Sequence, residues 1–181
     1  GPTTTVGKYG NAISTPNSEG AGDITIRLGS HENDCLGNVA LLCPDGATFS
    51  LWFKPSELEG GDITLFASSS MSAIYDPDDD GFELTMHLNN GSHNFEFAFP
   101  ERNWDRWYFL GFTYSKTSGF IVYFDSCTPK FPNKILPQNI TIRNFELGCV
   151  GQLNCPRAYF DDLRLWPVKK SQLFLCELWQ M

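Results

Sequence analysis

The amino-acid sequence predicts an all-β domain in which two antiparallel sheets form a jelly-roll sandwich, closed by a short C-terminal helix. Short segments that alternate apolar and polar residues recur along the chain, and such alternation is typical of half-buried strands. Aromatic residues make up 14% of the 181 residues, whereas helix formers such as Ala and Lys are scarce. Gly and Pro separate the alternating segments, as turns require. Together these observations favour sheets over helices.

The alternating segments predict the strands one by one, beginning with a short strand in VGKYGNAIS. The further predicted strands are residues 23–28, 47–54, 63–67, 81–88, 94–99, 107–114, 119–125, 139–143, 145–147 and 158–167, and the predicted helix is 170–180. In ATFSLWFK, Phe49, Leu51 and Phe53 share one face, and Pro55 ends the strand. The segment WYFLGFTY is apolar on both faces, which predicts a central strand paired with GFIVYFD as a hairpin. Residues 29–44, 68–80 and 126–138 are predicted to be loops.

The closing segment AYFDDLRLWP carries two adjacent carboxylates, Asp161 and Asp162, within an apolar strand. Strict alternation places Asp161 on one face and Arg164 and Trp166 on the other. Asp is a poor strand residue and is seldom buried without a partner. At least one of the two carboxylates is therefore expected to be capped by backbone N–H groups, by an Arg or by a metal.

The length predicts one domain, residues 6–181, with residues 1–5 as a linker or a protease scar left outside the fold. No segment reaches the roughly 20 apolar residues of a membrane span, so no direct membrane insertion is expected in this segment. The absence of an initiator Met and of a signal peptide predicts a mature or excised fragment. The net charge of −8 and the sequence pI near 4.7 make nucleic acid an unfavourable partner.

Six cysteines and two glycosylation sequons, at Asn90 and Asn139, predict a secreted glycoprotein or one on the extracellular side of the cell surface. Six cysteines allow 15 pairings. Short spacing favours Cys35–Cys43 and Cys149–Cys155, which leaves Cys127–Cys176 by elimination. Zinc is disfavoured, because the chain has no C-x2-C pair and its three His do not cluster with the Cys.

Calcium is the one cofactor that the sequence suggests. In DPDDDG, Asp76, Asp78 and Asp80 stand at alternate positions before a Gly, as in the first half of a calcium loop. His87 occupies the twelfth position, which excludes an EF-hand, so the alternatives are a solvated acidic turn and a calcium site of another β-module type. For Asp161 the alternatives are a structural hydrogen-bonding role and a metal ligand.

Exposed aromatic residues are the other candidate site. Trp104 is the first candidate for ligand contact by stacking, with Tyr75 and Tyr159 behind it, and core packing is the alternative for Trp104. Catalysis is not expected. The chain has no G-x-S-x-G motif and no E-x-D-x-x-E strand of paired carboxylates, and Glu83, Glu96 and Glu146 are isolated.

Four blocks resemble laminin-G-like and pentraxin-like domains of the concanavalin-A-like superfamily. VGKYGNAIS resembles their entry segment, and CLGNVALLCPDGATFSLWFK resembles a cysteine-bracketed block that precedes their first long strand. NWDRWYFLGFTYSKTSGFIVYFDS resembles their central hairpin, and AYFDDLRLWPVKKSQL resembles their closing strand. The second block is similar to the pentraxin-like domains at the N-terminus of some adhesion G-protein-coupled receptors.

The resemblance implies a non-catalytic recognition module within a larger cell-surface receptor or adhesion protein, tethered to a membrane elsewhere, that binds a protein or glycan. The alternative is a calcium-dependent lectin, followed by a glycosidase of the same fold and a structural oligomerisation domain. Two departures stand out. Such modules have one more strand before GKYGNA, which is not recognised here, so an incomplete sheet edge is expected. Asp125-Ser126-Cys127 replaces their Asp-Gly turn and places a crosslink at a hairpin tip.

Overall fold

A computed structural model describes the chain at residues 3–14, 18–19, 25–27, 42–55, 63–67, 71–76, 81–88, 91–98, 106–133, 146–148, 154–155 and 158–181. Side chains are described at 4–14, 42–55, 106–130, 147 and 158–181. Within these residues, no helix is both long and apolar enough to cross a membrane.

Most of the described residues belong to short strands, and a helix follows the last of them. In chain order the elements are β1 (Thr3–Val6), β2 (Asn11–Ser14), β3 (Ser18–Glu19), β4 (Thr25–Arg27), β5 (Ala47–Pro55), β6 (Ile63–Ala67), β7 (Met71–Asp76), β8 (Gly81–Leu88), β9 (Gly91–Ala98), β10 (Tyr108–Ser115), β11 (Gly119–Phe124), β12 (Phe131–Asn133), β13 (Glu146–Gly148), β14 (Asn154–Cys155), β15 (Ala158–Trp166) and helix α1 (Gln172–Gln180).

The strands form two large antiparallel sheets. The seven-stranded sheet has the order β1-β2-β15-β5-β10-β11-β12, and the six-stranded sheet has the order β4-β13-β6-β7-β8-β9. Strands β14 and β3 form a separate pair. The closing strand β15 lies between β2 and β5, so the first and last strands of the chain meet in one sheet. The predicted all-β sandwich with a short C-terminal helix is confirmed.

The inner face of the seven-stranded sheet, which carries Phe49, Leu51 and Phe53, is almost fully buried. Leu51 lies opposite Leu110, and Phe49 lies opposite Phe112 with the two rings stacked at a centroid distance of 4.9 Å. The inner-face side chains of β5, β10 and β11 are all at most 4% exposed, namely Phe49, Leu51, Phe53, Tyr108, Leu110, Phe112, Tyr114, Phe120, Val122 and Phe124. Fully burying one such side chain contributes about 1.5–3 kcal/mol.

The outer face of the same sheet is partly covered by α1. Leu175 and Leu178 of the helix pack on Trp52, Phe109 and Tyr123. The helix approaches so closely because Gly111 has no side chain, and a Cβ at this position would lie 2.5 Å from Leu175 Cδ1. The helix begins at Gln172 rather than at residue 170 as predicted, because Ser171 is its N-cap and accepts a hydrogen bond of 3.2 Å from the Phe174 N–H.

A disulfide between Cys127 and Cys176 joins α1 to the segment after β11, and this is the pairing reached above by elimination. Gln172 Nε2 adds a hydrogen bond of 2.9 Å to the Cys127 carbonyl. Cys43 is also disulfide-bonded. Cys35 and Cys149 lie outside the described residues, and no side chain is described at Cys155, so Cys35–Cys43 and Cys149–Cys155 stay predictions.

The N-terminal edge of the seven-stranded sheet differs from the sequence expectation. The extra strand that precedes GKYGNA was expected to be absent, but β1 occupies this position and pairs with β2 through a turn at residues 7–10. Thr3, Thr4 and Thr5, which are predicted to be part of a linker or a protease scar, lie in this strand. A run of three Thr is short of apolar residues, so its strand character depends on pairing with β2 rather than on a buried face.

Two further differences lie in the six-stranded sheet. The loop predicted at 68–80 contains β7, which pairs with both β6 and β8. The small residues of MSAIYD weaken the apolar–polar alternation by which a strand is recognised in a sequence. The strand β7 is instead defined by its pairing with β6 and β8. Gly91, Ser92 and His93, which belong to the connection NNGSH predicted between the strands, lie in β9 and pair with Leu88, His87 and Met86 of β8. The strand predicted at 139–143 lies outside the described residues.

Candidate functional site

The acidic segment proposed for calcium lies between β7 and β8. Asp76 is the last residue of β7 and pairs with Gly81 across the hairpin, while Asp78 and Asp80 lie outside the described residues. Tyr75 is in β7, where no side chain is described. The calcium site therefore stays a prediction.

Three other predicted sites also lie beyond the described part of the chain. They are the aromatic candidate Trp104 and the glycosylation sites Asn90 and Asn139. Elsewhere, in the part of the chain that the structure describes, no three His, Cys, Asp or Glu side chains gather as a metal-binding group.

Asp161 is a backbone cap. One carboxylate oxygen, Oδ2, accepts a hydrogen bond of 2.8 Å from the Tyr9 N–H, and Oδ1 accepts one of 2.8 Å from the Asp162 N–H. The turn at residues 7–10 lies directly against this carboxylate, since a Cβ on Gly7 would be 2.5 Å from Asp161 Oδ2. The expectation that at least one of the two carboxylates is capped is thus confirmed. A metal role for Asp161 stays a prediction.

A β-bulge at Asp162 corrects the predicted alternation of the closing strand. Asp161 lies opposite Trp52 and Arg164 lies opposite Ser50, so two residues of β15 face only Leu51 of β5. Asp162 adopts a φ of 50°, in the left-handed region that Asp tolerates better than most residues, and its carboxylate accepts a hydrogen bond of 2.6 Å from Arg164 Nε. Beyond the bulge, Arg164 and Trp166 lie on the same outer face as Asp161, not on the opposite one.

The outer face carries a group of cationic and aromatic side chains that α1 leaves partly exposed. We call it the cation–aromatic patch and define it as Lys8, Tyr9, Lys54, Arg106, Trp107 and Tyr159. Its centre is a row across three chain segments, in which Lys54 of β5 lies opposite Tyr159 of β15. Lys54 Nζ is 4.8 Å from the Tyr159 ring centroid and 5.9 Å from that of Trp107. Both rings are half-buried.

Lys8 lies at one side of this row, above Trp52. Its Nζ is 3.6 Å from the Trp52 ring centroid and 5.4 Å from the Tyr9 ring centroid. Partial burial lowers the pKa of Lys8, and nearby Arg106 lowers it further, while Asp125 acts in the opposite direction. No oxygen of the described residues accepts a hydrogen bond from this ammonium group, which therefore relies on the aromatic faces. Beneath it, Trp52 is 3% exposed and its buried indole N–H has no acceptor among the described residues.

Arg106 and Asp125 form an ion pair close enough to Lys8 to influence its pKa, and the Arg106 guanidinium lies 5.1 Å from the Tyr108 ring centroid. The arginine side chain is 43% exposed and the aspartate side chain only 7%. Asp125 adopts a φ of 44° after β11, and its Oδ1 also accepts a hydrogen bond of 3.3 Å from Trp179 Nε1 of α1. The same carboxylate thus ties Arg106 to the end of the helix.

Tyr9 forms the outer edge of the patch. It is 38% exposed and meets Trp52 edge-on, with the ring centroids 6.0 Å apart. Burial raises the pKa of Tyr9, and the neighbouring carboxylates Asp162 and Asp161 raise it further, so the phenol is the favoured form in the folded state.

The six side chains of the patch supply ammonium, guanidinium and phenol donors beside aromatic faces. Cationic donors recognise anionic oxygens, and the faces of Trp and Tyr rings pack against apolar ligand surfaces.

A second polar cluster, at the β10–β11 hairpin, has a structural explanation. Lys169 Nζ donates a hydrogen bond of 2.7 Å to Ser118 Oγ, which lies 2.6 Å from Ser115 Oγ. The backbone N–H of Lys169 donates to the Asp45 carbonyl, and the Thr48 hydroxyl donates to that of Val168. These contacts hold the segment between β15 and α1 against the start of β5, which directs the helix onto the outer face.

Sequence reasoning found only one residue of the patch as a ligand candidate, Tyr159. The alternation of Trp107 with its neighbours predicts packing in the core or over the sheet, and Trp107 does pack against the cluster under α1 while it stays half-buried. Lys8, Lys54 and Arg106 are single cations in the sequence and carry no signal of a site. A usable signal is present in β5, where Trp52 and Lys54 alternate with the buried Leu51 and Phe53. This alternation puts a cation and an aromatic ring on the face that does not enter the sandwich.

Comparison with known proteins establishes the fold. No protein-family model matches the chain, and no curated protein sequence matches it. Over 99% of the chain the structure is similar to the botulinum neurotoxin serotype D binding domain, with a TM-score of 0.72 and 14% sequence identity. It is also similar, over the same share, to the botulinum neurotoxin type G receptor binding domain, with a TM-score of 0.66 and 14% identity. A third similar structure, again over 99% of the chain, is the binding domain of botulinum neurotoxin DC in complex with rat synaptotagmin II, with a TM-score of 0.72 and 12% identity.

The chain spans less than half of each of these structures, 46% for serotypes D and G and 45% for the DC domain. At such low identity the similarity supports a shared antiparallel β-sandwich and nothing finer. Function on this fold has to be argued from the side chains that the chain itself presents.

Proposed function

We infer that the protein is a non-catalytic recognition module of the extracellular space, and that the cation–aromatic patch is its binding surface. The ligand is a glycan or protein of the cell surface or matrix, and the module is part of a larger adhesion protein or receptor of laminin-G-like or pentraxin-like type. The observation that carries this proposal is the partly exposed row of Tyr159, Lys54 and Trp107 on a sheet face that α1 covers only in part.

The patch has the features of a preformed site. Lys54 and Tyr159 stand on paired strands, and Trp107 immediately precedes the strand on the other side of Lys54, so a rigid sheet sets their spacing. Aromatic and arginine side chains are enriched at the energetic centres of binding surfaces. The disulfide, the sequons and the even cysteine number support an extracellular location. The similar solved structures are binding domains of botulinum neurotoxins, which agrees with a binding role on this fold.

The second candidate is a calcium-dependent lectin. It is favoured by the acidic sequence DPDDDG, whose first residue, Asp76, ends β7 and pairs with Gly81 at the start of β8. The two candidates differ in their response to a chelator.

The test is a binding screen against immobilised glycans and extracellular proteins, repeated in calcium and in chelator. The variant Trp107→Ala/Tyr159→Ala removes both rings, and Leu173→Ala, at a 68% exposed helix position, is the matched control. We expect ligands of the wild type to be retained by the control and lost by the double variant, with and without calcium. Ligands that survive in the double variant would overturn the patch as the binding surface. Ligands that vanish in chelator would favour the lectin.

A further inference from the structure

We propose that two copies of this chain associate through β1, so that their seven-stranded sheets join edge to edge. The occupant of this edge is thus the β1 strand of a second copy, which runs antiparallel to the first and is related to it by a two-fold axis. The dimer does not depend on the proposed function, because no side chain of the cation–aromatic patch takes part in the pairing.

One side of β1 is open in the sheet. Among the strands that the structure describes, only β2 pairs with it. The turn between them closes with a hydrogen bond of 2.8 Å from the Gly7 N–H to the Gly10 carbonyl. Because hydrogen-bonded residues alternate along an antiparallel ladder, Thr5 is the next residue of β1 that bonds to β2. The backbone N–H and C=O groups of Thr4 and Val6 therefore point away from β2.

The side chains on the inner face of this edge are uncovered as well. Phe160 of β15 lies opposite the inner-face residue Phe53, and Ile13 of β2 lies opposite Phe160. Thr4 lies opposite Ile13, so alternation puts Val6 on the same face. Ile13 is 39% exposed and Val6 is 86% exposed, in contrast to the buried inner-face side chains of β5, β10 and β11. An unpaired backbone beside exposed apolar side chains is a typical surface for the addition of a strand.

The strand β1 lacks the features that keep a sheet edge from pairing. Such features are charged side chains, proline and bulges. The sequence TTTV contains no charge and no proline, and its register with β2 is regular. At the other end of the same sheet, β12 has Pro132 at its centre, which offers no N–H, and it is flanked in the sequence by Lys130 and Lys134. Of these two ends of the sheet, β1 is therefore the one suited to pairing.

A second copy fits this edge because the strand is complementary to itself. A two-fold axis perpendicular to the sheet makes the two β1 strands antiparallel and keeps both inner faces on the same side. With Thr5 on the axis, Thr4 lies opposite the partner's Val6, and Val6 lies opposite the partner's Thr4. These are the residues whose N–H and C=O groups point outward, so both pairs can form hydrogen bonds, while Thr5 faces the partner's Thr5 in a pair without them.

Charge and exposed apolar area agree with this contact. The net charge of −8 repels a second copy over most of the surface, but β1 and β2, with the sequences TTTV and NAIS, contain no charged residue. Each Val6 side chain lies beside the partner's Thr4, which is next in the row to the partner's Ile13, so exposed apolar surface of both copies is buried. The contact is smaller than the roughly 1,200 Å² of a standard interface, so the dimer is expected to be weak and reversible.

The pairing turns the outer faces of both copies the same way. The two cation–aromatic patches then face one ligand surface, and Tyr159 of one copy is five strand spacings, about 24 Å, from Tyr159 of the other. Two weak sites at such a spacing combine on a ligand that carries several epitopes. This consequence, unlike the dimer itself, rests on the proposed function.

The first experiment is sedimentation equilibrium of the chain at concentrations from about 10 μM to about 1 mM. We expect a reversible dimer with a Kd of about 0.1–1 mM. Thr5→Lys places two ammonium groups opposite each other on the axis and should weaken the dimer about tenfold or more. Thr117→Lys, at an exposed position of the β10–β11 hairpin, adds the same charge elsewhere and should associate like the wild type.

A second variant removes a hydrogen bond of the interface without adding charge. Val6→Pro deletes an outward N–H group but no hydrogen bond between β1 and β2, and proline is tolerated on an edge strand. It should also weaken the dimer about tenfold or more. Melting temperatures of Val6→Pro and Thr5→Lys close to that of the wild type show that each variant remains folded.

Oxidative crosslinking tests the register. In the proposed pairing the two Thr5 Cα atoms are about 4.5 Å apart, within the range of a disulfide. The two Thr4 Cα atoms are about 8 Å apart, beyond the limit of about 7 Å. Thr5→Cys should therefore form a crosslinked dimer under mild oxidation, and the matched control Thr4→Cys should not. Peptide mapping identifies the bond between the introduced cysteines.

Three results would overturn the proposal. A wild-type chain that stays monomeric at about 1 mM has no self-association at this edge, whatever other extended segment the edge accepts. A dimer that is unaffected by both Thr5→Lys and Val6→Pro forms through another surface. Crosslinking at Thr4→Cys but not at Thr5→Cys contradicts the register. The proposed function is judged separately, by ligand binding of Trp107→Ala/Tyr159→Ala, which should dimerise like the wild type.

Discussion

The two faces of the seven-stranded sheet come from the same strands but differ in composition and exposure. On the inner face, the side chains of β5, β10 and β11 are apolar or aromatic and almost fully buried. On the outer face, α1 buries Trp52, Phe109 and Tyr123, whereas Lys54, Trp107 and Tyr159 remain partly exposed. The inner face is thus buried along these three strands, whereas the outer face is buried only where α1 packs on it, and the position of the helix decides how much of that face stays accessible.

The largest effect is expected from the crosslink that holds the helix on the outer face. The double variant Cys127→Ala/Cys176→Ala opens a loop with a sequence separation of 49 residues. We expect a loss of about 4 kcal/mol in the free energy of unfolding, because the unfolded chain regains the entropy of that loop. Urea unfolding measures it. A change below about 1 kcal/mol would mean that the packing of Leu175 and Leu178 suffices to hold the helix.

A core substitution measures the inner face by itself. Leu51 is fully buried, and Leu51→Ala should cost about 3 kcal/mol through lost burial and the cavity left behind. Lys54→Ala, on the other face of the same strand, should cost about 1 kcal/mol or less. Both values come from urea unfolding. An equal loss in the free energy of unfolding for Leu51→Ala and Lys54→Ala would contradict a larger contribution of the inner face to stability at this strand.

The turn at residues 7–10 contacts the Asp161 carboxylate of the closing strand β15. A double-mutant cycle between Gly7 and Asp161 tests this contact. Asp161→Ala leaves the Tyr9 and Asp162 N–H groups without this acceptor and should cost about 1–2 kcal/mol. Gly7→Ala should also destabilise, since its Cβ would lie 2.5 Å from Asp161 Oδ2 and 2.8 Å from the Ala12 nitrogen. In the double variant we expect less than the sum, because removing the carboxylate relieves one of the two clashes. Additive costs would indicate that the turn does not depend on Asp161.

The smallest effect is a shift in the titration of Lys8. Its folded pKa is lowered from the ordinary 10.5, so the folded state binds the proton less well than the unfolded state does. The charged Lys8 therefore lowers the free energy of unfolding. This destabilisation is fully present at neutral pH and is lost as pH rises through the folded pKa of Lys8. Stability should therefore gain a small increment in the alkaline range, and Lys8→Met should abolish it.

The signal to follow is the NMR shift of the Lys8 side-chain Cε against pH. A midpoint at or above 10.5 would contradict the desolvation of this ammonium group. Tyr9 titrates in the opposite sense, since its raised pKa means that stability falls as pH rises above the ordinary value of 10.0. Lysine and tyrosine contributions to the alkaline stability profile are therefore separated by comparing Lys8→Met with Tyr9→Phe.

The patch itself shows why sequence reasoning found little of the site. Its members come from the turn before β2, from β5, from the segment before β10 and from β15, which are far apart along the chain. In the sequence, Tyr159 is an aromatic residue of an alternating strand and so qualifies as a stacking candidate, whereas Lys54 is a single cation at a strand end. The role of Lys8 depends on a turn that the Asp161 carboxylate holds against Trp52, and no local pattern records a contact between residues 9 and 161.

The sequence by itself determined the all-β class, the strands of the inner face, the C-terminal helix and the need to cap the Asp161–Asp162 pair. These follow from local rules, since alternation marks a half-buried strand and an apolar environment does not leave a carboxylate unpaired. Only the tertiary structure decided that Thr3–Val6 joins the sheet edge, that residues 71–76 are a strand, and that a bulge turns Arg164 and Trp166 to the outer face. It also brought three cations and three aromatic rings together. Such features arise from pairing between distant segments, and local propensity does not specify which strands become neighbours.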